Sequence, residues 1–199
     1  MKKIILKIPV VICLVLSFNL FSQEKSNQIV DNVLKIDLDM LNIKKLPDSL
    51  LKFKNVKEII LRRNPFLDVE NTILFLSNFD SLKVLDLSSC QIEKLPENIR
   101  LLNNLEVLSL NGNYIKTFPD GLAFMKNLKE LNLSGNTGTN IENLFDKLSV
   151  QNSVVYIDLS RNKIRKIPCN ITKMTNLQNL WIGDNRISKL PVCFGNLNI

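Results

Sequence analysis

Seven stretches of the chain align on one pattern, and a period of this kind constrains the fold more than any local propensity can. VLKIDLDMLNI, VKEIILRRNPF, LKVLDLSSCQI, LEVLSLNGNYI, LKELNLSGNTG, VVYIDLSRNKI and LQNLWIGDNRI begin at Val33, Val56, Leu82, Leu105, Leu128, Val154 and Leu177, at intervals of 23, 26, 23, 23, 26 and 23 residues. Apolar residues fill positions 1, 4 and 6 of each unit, as Leu105, Leu108 and Leu110 do. Positions 4 and 6 share one side of a short strand, because strand side chains alternate with a period of two. Positions 11, 14, 18 and 21 (Ile115, Phe118, Leu122 and Met125) close the coil from the other side, and Pro119 keeps the return segment from becoming a second regular strand. One coil alone cannot bury this set. The expected structure is therefore a stack of seven coils, with parallel strands centred near Ile36, Ile59, Leu85, Leu108, Leu131, Ile157 and Leu180 and one continuous core.

Position 9 is asparagine in five units: Asn64, Asn113, Asn136, Asn162 and Asn185. Where the chain leaves the strand, backbone groups face inward without ladder partners, and a carboxamide offers both donors and an acceptor to them. A stacked, structural asparagine ladder is expected, with Cys90 in the third unit and Leu41 in the first taking the same position.

Each unit thus reads LxxLxLxxNxI and usually continues xxLPxxIxxLxN. This resembles the leucine-rich-repeat family over residues 33 to 199, and the 23-residue units are similar to the repeats of Ras-suppressor and Scribble-type scaffolds and of related bacterial proteins. The resemblance implies an α/β repeat fold, a right-handed solenoid with a short parallel sheet on the concave side and irregular or helical turns on the convex side. The two 26-residue units depart from the pattern, losing the Leu-Pro pair and inserting near residues 69–81 and 141–153.

Residues 1–22 have the form of a secretory signal. Lys2, Lys3 and Lys7 precede and enter an apolar run from Ile8 to Phe21, and Ser22 offers a small residue before Gln23. The run is shorter than the roughly 20 residues that span a bilayer. Cleavage would leave residues 23–32 as an N-terminal segment, with Ile29 and Val30 as the apolar candidates for covering the first coil, and would place the chain in the periplasm, at the cell surface or outside the cell. It would also lower the net charge from +7 to +4, too small an excess to imply nucleic acid. The remaining alternatives are an intracellular regulatory scaffold, which requires residues 1–22 to be no signal, and a fragment of a larger surface protein.

Catalytic chemistry has little to work with. The chain has no histidine, which removes the commonest general base and metal ligand, and no phosphate-binding, dinucleotide-binding or nucleophile-elbow motif. No enzyme activity, cofactor or metal is expected. A carboxylate pair such as Asp158 and Asp184 could approach across adjacent coils, with nothing to enclose it. Cys169 and Cys193 fall at positions 16 and 17 of successive units. One coil spacing and one residue of offset put their Cα atoms about 6 Å apart, within disulfide range, so a bridge and two unlinked thiols both remain open.

The resemblance implies that strand-side positions 2, 3, 5, 7 and 8 line the concave, partner-holding surface. Alternation agrees, since these side chains project from the sheet between the core leucines. The candidates are Lys35, Asp37, Glu58, Ile60, Arg62, Asp86, Asn132, Tyr156, Asp158, Arg161, Trp181 and Asp184, with charged and aromatic groups gathered at the two ends. Seven strands make a row about 29 Å long, which suits a protein, an extended peptide or a glycan better than a small metabolite. Tyr156 and Trp181, about one strand spacing apart, are the expected hot spot. A separate line of cations runs along one flank: Lys45, Lys94, Lys166 and Lys189 at position 13, with Lys44, Lys116 and Arg165 at position 12. It reads either as attraction to an anionic surface, phospholipid or acidic polysaccharide, or as a solvated choice of the repeat. The coil beginning at Leu177 has no successor, so weak self-association through its open edge is expected.

Overall fold

The computed structural model describes residues 4–7 and 33–197. The expected cleavage after Ser22 and the covering role of Ile29 and Val30 lie outside the described residues.

Each repeat contributes one short strand: β2 (Val33–Asp37), β3 (Glu58–Ile60), β4 (Val84–Asp86), β5 (Val107–Ser109), β6 (Glu130–Asn132), β7 (Tyr156–Asp158) and β8 (Asn179–Trp181). All pair parallel with their sequence neighbours, and positions 3, 4 and 5 of one unit face positions 3, 4 and 5 of the next. Position 4 points inward throughout, and Ile36, Leu85, Leu108, Leu131 and Ile157 are fully buried. An eighth strand departs from the expected seven: β1 (Ile4–Lys7) pairs parallel with β2, Leu6 against Ile36 and Lys7 against Asp37. It falls inside the segment read as a signal, and a chain cleaved after Ser22 would begin its sheet at β2.

The return segments differ with unit length. The 23-residue units turn back through one 3-10 helix each, at Asp48–Lys52, Glu97–Leu101, Asp120–Phe124, Cys169–Lys173 and Val192–Asn196. Each follows a proline at its N-cap, whose fixed φ starts the turn. The longer units form true α-helices, α1 (Val69–Leu76) and α2 (Ile141–Gln151). Asp68 and Asn140 cap them, each accepting from the backbone N–H three residues on. Because the lengths run 23, 26, 23 and then repeat, the chain has a second period of 72 residues. Equivalent bonds recur at that distance: the Asn98 and Asn170 amides donate to the carbonyls of Glu70 and Glu142, both at 2.9 Å.

The turn leaving every strand takes a left-handed residue at position 8. Met40, Arg63, Ser89, Gly112, Gly135, Arg161 and Asp184 have φ between 53° and 71°, at roughly 1 kcal/mol or more for each non-glycine residue. At Gly112 the need is steric as well, since a Cβ there would lie 2.9 Å from Ser89 Oγ. The asparagines at position 9 offset this cost by tying the turn to the preceding coil. Asn113 Nδ2 donates to the carbonyls of Leu87 and Leu110, and its Oδ1 accepts from Cys90 N and Ile92 N. Asn64, Asn136, Asn162 and Asn185 also bond to the coil before and to their own turn. Cys90, in the same column, sends its thiol to Leu61 O at 3.1 Å, and burial pushes that thiol's pKa up.

Two further features lock successive coils. Cys169 and Cys193 lie 5.8 Å apart at Cα and are joined by a disulfide. Glu97 receives the N–H groups of Asp120 and Gly121 at 3.1 and 2.8 Å, which draws the next coil's 3-10 turn against its carboxylate. The approach is so close that a Cβ on Gly121 would sit 2.3 Å from Glu97 O. Since backbone cannot yield as a side-chain tip can, Gly121→Ala should cost about 2 kcal/mol in chemical denaturation; an unchanged midpoint would show that the coils slide apart freely.

Candidate functional site: the concave face

The outward residues of the sheet form columns, and the position-5 column is largely committed to the protein's own backbone. The carboxylates of Asp37, Asp86 and Asp158 and the amide oxygen of Asn132 accept from the N–H two residues on, at 3.2, 2.9, 2.9 and 2.9 Å. These are Asx turns, which satisfy the orphan N–H where the strand ends. The hydroxyl of Ser88 also reaches Asp86 and Asn111, and that of Ser134 donates to Asn132. Four of the candidate binding residues are therefore strand terminators first.

The N-terminal third of the face is a closed ionic cluster. Lys35 pairs with Glu58 at 2.7 Å, Arg62 reaches Asp39 at 3.1 Å and Asp86 at 3.6 Å, and Arg63 adds a second clamp on Asp39. Ile60, placed among the partner-binding candidates by its outward position, is instead only 7% exposed. Its strand neighbours in register are Asp37 and Asp86, and the Lys35–Glu58 and Arg62 pairs stand on either side of it. It cannot act as a contact residue unless those pairs open.

Hydrogen bonding from Arg63 holds the Asp39 carboxyl below its ordinary value of 3.8 against opposing burial, with the charges of Arg62 and Arg63 adding to the effect. A depressed folded-state pKa means that this carboxylate stabilises the fold above the ordinary value and stops doing so as pH falls through the lowered one. Asp39→Asn should therefore flatten the acid limb of the melting-temperature profile below about pH 4. Equal slopes for both proteins in that range would show that the Asp39 pairs do not couple to folding.

The C-terminal third is different. Trp181, the only tryptophan of the chain, is 57% exposed. It faces Asp158 in register, while Tyr156 faces Asn179. The two aromatics are therefore diagonal, about 8 Å apart at Cα, and not one strand spacing apart as their positions suggest. Tyr156 is half-buried, and burial, with Asp158 and Glu130 nearby, pushes its phenol up. Arg161 and Asp184 pair with each other at 3.0 Å, both exposed. The Asp158–Asp184 couple does not form, because Asp158 caps Ser160 and Asp184 turns to Arg161. Among the described residues there is no cluster of acidic or cysteine side chains able to hold a metal, and no helix is long and apolar enough to cross a membrane.

Models of the leucine rich repeat match residues 80–137 and 176–197. Among solved structures, a leucine-rich-repeat protein of Leptospira interrogans superposes with a TM-score of 0.58 at 23% identity, covering 89% of this chain. The chain is a leucine-rich-repeat protein. It spans 56% of the length of that structure. No curated protein matches it. The fold likeness extends to 308 chains of solved structures, so fold alone selects no partner for this leucine-rich-repeat protein.

The Asx turns of its concave face had a sequence signal. Asp37-x-Asp39, Asp86-x-Ser88, Asn132-x-Ser134 and Asp158-x-Ser160 repeat an acid or amide two residues before an N–H donor. The outward direction of these side chains masks it, because a residue that points to solvent can still fold back on its own turn. Trp181 at the equivalent position lacks that capacity, as does Ile60.

Proposed function

We propose that this leucine-rich-repeat protein is an exported, non-catalytic binding scaffold that holds a protein or extended peptide on its concave face, centred on Tyr156 and Trp181. The observation that carries the reading is the exposure of Trp181 beside a half-buried Tyr156, on a face whose other candidates are taken up by Asx turns and ion pairs. An aromatic centre rimmed by Asp158, Arg161 and Asp184 has the composition of an interface hot spot. Export rests on the form of residues 1–22, and the length of the sheet favours an extended ligand over a small one.

The test is a peptide-display selection against the full chain, followed by affinity measurements with Trp181→Ala. A hot spot loses about 2 kcal/mol or more of affinity with an unchanged melting temperature. If Trp181→Ala lowers the melting temperature and leaves affinity intact, the indole shields the open edge of β8 and the reading falls. Protease protection of the chain in intact cells, lost on envelope permeabilisation, tests export; an intact N-terminus in the soluble cytosol would overturn it.

A further inference from the structure

The two 26-residue units each leave a recess on the flank where the chain leaves the sheet. One of about 560 Å³ lies beside α1 and one of about 480 Å³ beside α2. The 72-residue period relates them: Val69, Glu70 and Lys94 line the first, and Ile141, Glu142 and Lys166 line the second. Their charges are opposed. Residues 91, 93, 94 and 97 are Gln, Glu, Lys and Glu, while the equivalent residues 163, 165, 166 and 169 are Lys, Arg, Lys and Cys. A net negative set becomes a set of three cations, which share the recess with the carboxylate of Glu142, and Cys169 is held in the disulfide. The next coil adds Arg186 and Lys189, and all five cations are exposed. None of them takes part in an ion pair among the described residues, where the pairs involve other cations.

Lys166 has its counterpart in Lys94 and follows the repeat, whereas Lys163 and Arg165 stand where the first block has Gln91 and Glu93. The change at these two positions is specific to the second recess. We propose that this recess, between the fifth and sixth coils, binds an acidic polysaccharide through Lys163, Arg165 and Lys166, with Arg186 and Lys189 extending the contact along the chain. Its mouth is open because unit position 11, an isoleucine in the sixth unit at Ile164, is Gly138 in the fifth. That glycine has φ +92°, and a Cβ there would meet nothing within 4 Å. The apolar lining is already covered, with Ile141, Ile164 and Ile167 at 7%, 7% and 3% exposure. The recess thus offers no apolar anchor of the kind that protein hot spots and inserted bilayer contacts need. Carboxylates spaced along a hydroxyl-rich polymer match a recess with exposed cations at its rim, and unpaired cations have no existing ion pairs to break. This site is separate from the concave face and does not depend on the reading given to it.

The experiment uses the full chain with polygalacturonate as the probe, dextran as a neutral polymer and phosphatidylglycerol vesicles as a bilayer. The variant K163E/R165E/K166E is compared with K44E/K45E/K116E, which makes the same charge change on other coils. Polygalacturonate, and not dextran, should bind, more weakly as salt rises. The recess variant should lose about tenfold or more in affinity and the control less than about twofold, with matching circular dichroism. Should the triple variant unfold, R165Q/K166Q takes its place. No binding to polygalacturonate, equal losses in the two variants, or insensitivity to salt would overturn the proposal. Vesicle binding lost in the recess variant without polygalacturonate binding would assign the patch to a bilayer and overturn it too.

Discussion

Replacing Cys169 and Cys193 together by serine should lower the stability of the last coil by about 3 kcal/mol, the loop-closure contribution of a crosslink at this spacing. The bridge closes 24 residues and joins the sixth coil to the seventh. Its weight is greater there than it would be mid-stack. Stability in a solenoid is the sum of repeat and neighbour terms, and among the described residues the seventh coil has a neighbour on one side. Leu180, Ile182, Ile187, Phe194 and Leu197 are accordingly only half-buried against the core. Their counterparts one coil earlier, Ile157, Leu159, Ile164, Ile171 and Met174, are all buried. Trp181, the single tryptophan, belongs to the seventh coil, so its fluorescence reports that coil while circular dichroism reports the stack. With the bridge intact the two melting curves should coincide; in the double serine variant the fluorescence transition should come first. Coincident curves and an unchanged midpoint in that variant would show that the bridge adds nothing to the packing of the last coil.

The parts of this structure that are legible in the sequence are those that must repeat. An inward side chain meets the same environment in every coil, so positions 4 and 6 and the asparagine column carry the period directly, and the strand centres follow. Coil geometry alone places Cys169 and Cys193 about 6 Å apart, and they lie at 5.8 Å. What depends on longer-range pairing is not legible. β1 reads locally as the start of a charged and apolar leader, and its pairing depends on the free edge of β2, which no local pattern reveals. The form of the two α-helices is hidden for a different reason, because three extra residues lengthen a turn without dictating its shape until Asp68 and Asn140 cap it. At the concave face, outward direction does not amount to availability. Asp37, Asp86, Asn132 and Asp158 point outward and still bond inward along the chain, and Ile60 is closed over by its charged neighbours.

Asn113→Ala should cost about 3 kcal/mol, the upper end for leaving buried polar groups without partners. The side chain is 1% exposed and serves five backbone groups at once, the carbonyls of Leu87, Leu110 and Asn111 and the N–H groups of Cys90 and Ile92. Alanine removes all of these bonds and leaves no path for water to replace them, since Leu87, Leu110 and Ile115 close the core around the turn. The cost falls on two coils together, because the bonds to Leu87, Cys90 and Ile92 cross from the fourth unit to the third, and in a stack held by neighbour terms such a break should also loosen the coupling between the halves. Asn185→Ala removes a similar set, with Oδ1 accepting from Asn162 N and Ile164 N and Nδ2 donating to Leu159 O and Ile182 O. Asn185 is only part-buried, however, so water can reach the groups it leaves behind. Its loss should cost about 1 kcal/mol. The ordering is the discriminating result: urea denaturation should place Asn113→Ala well below Asn185→Ala, and equal losses would mean that the amide contributes through its local turn alone and not through burial between coils.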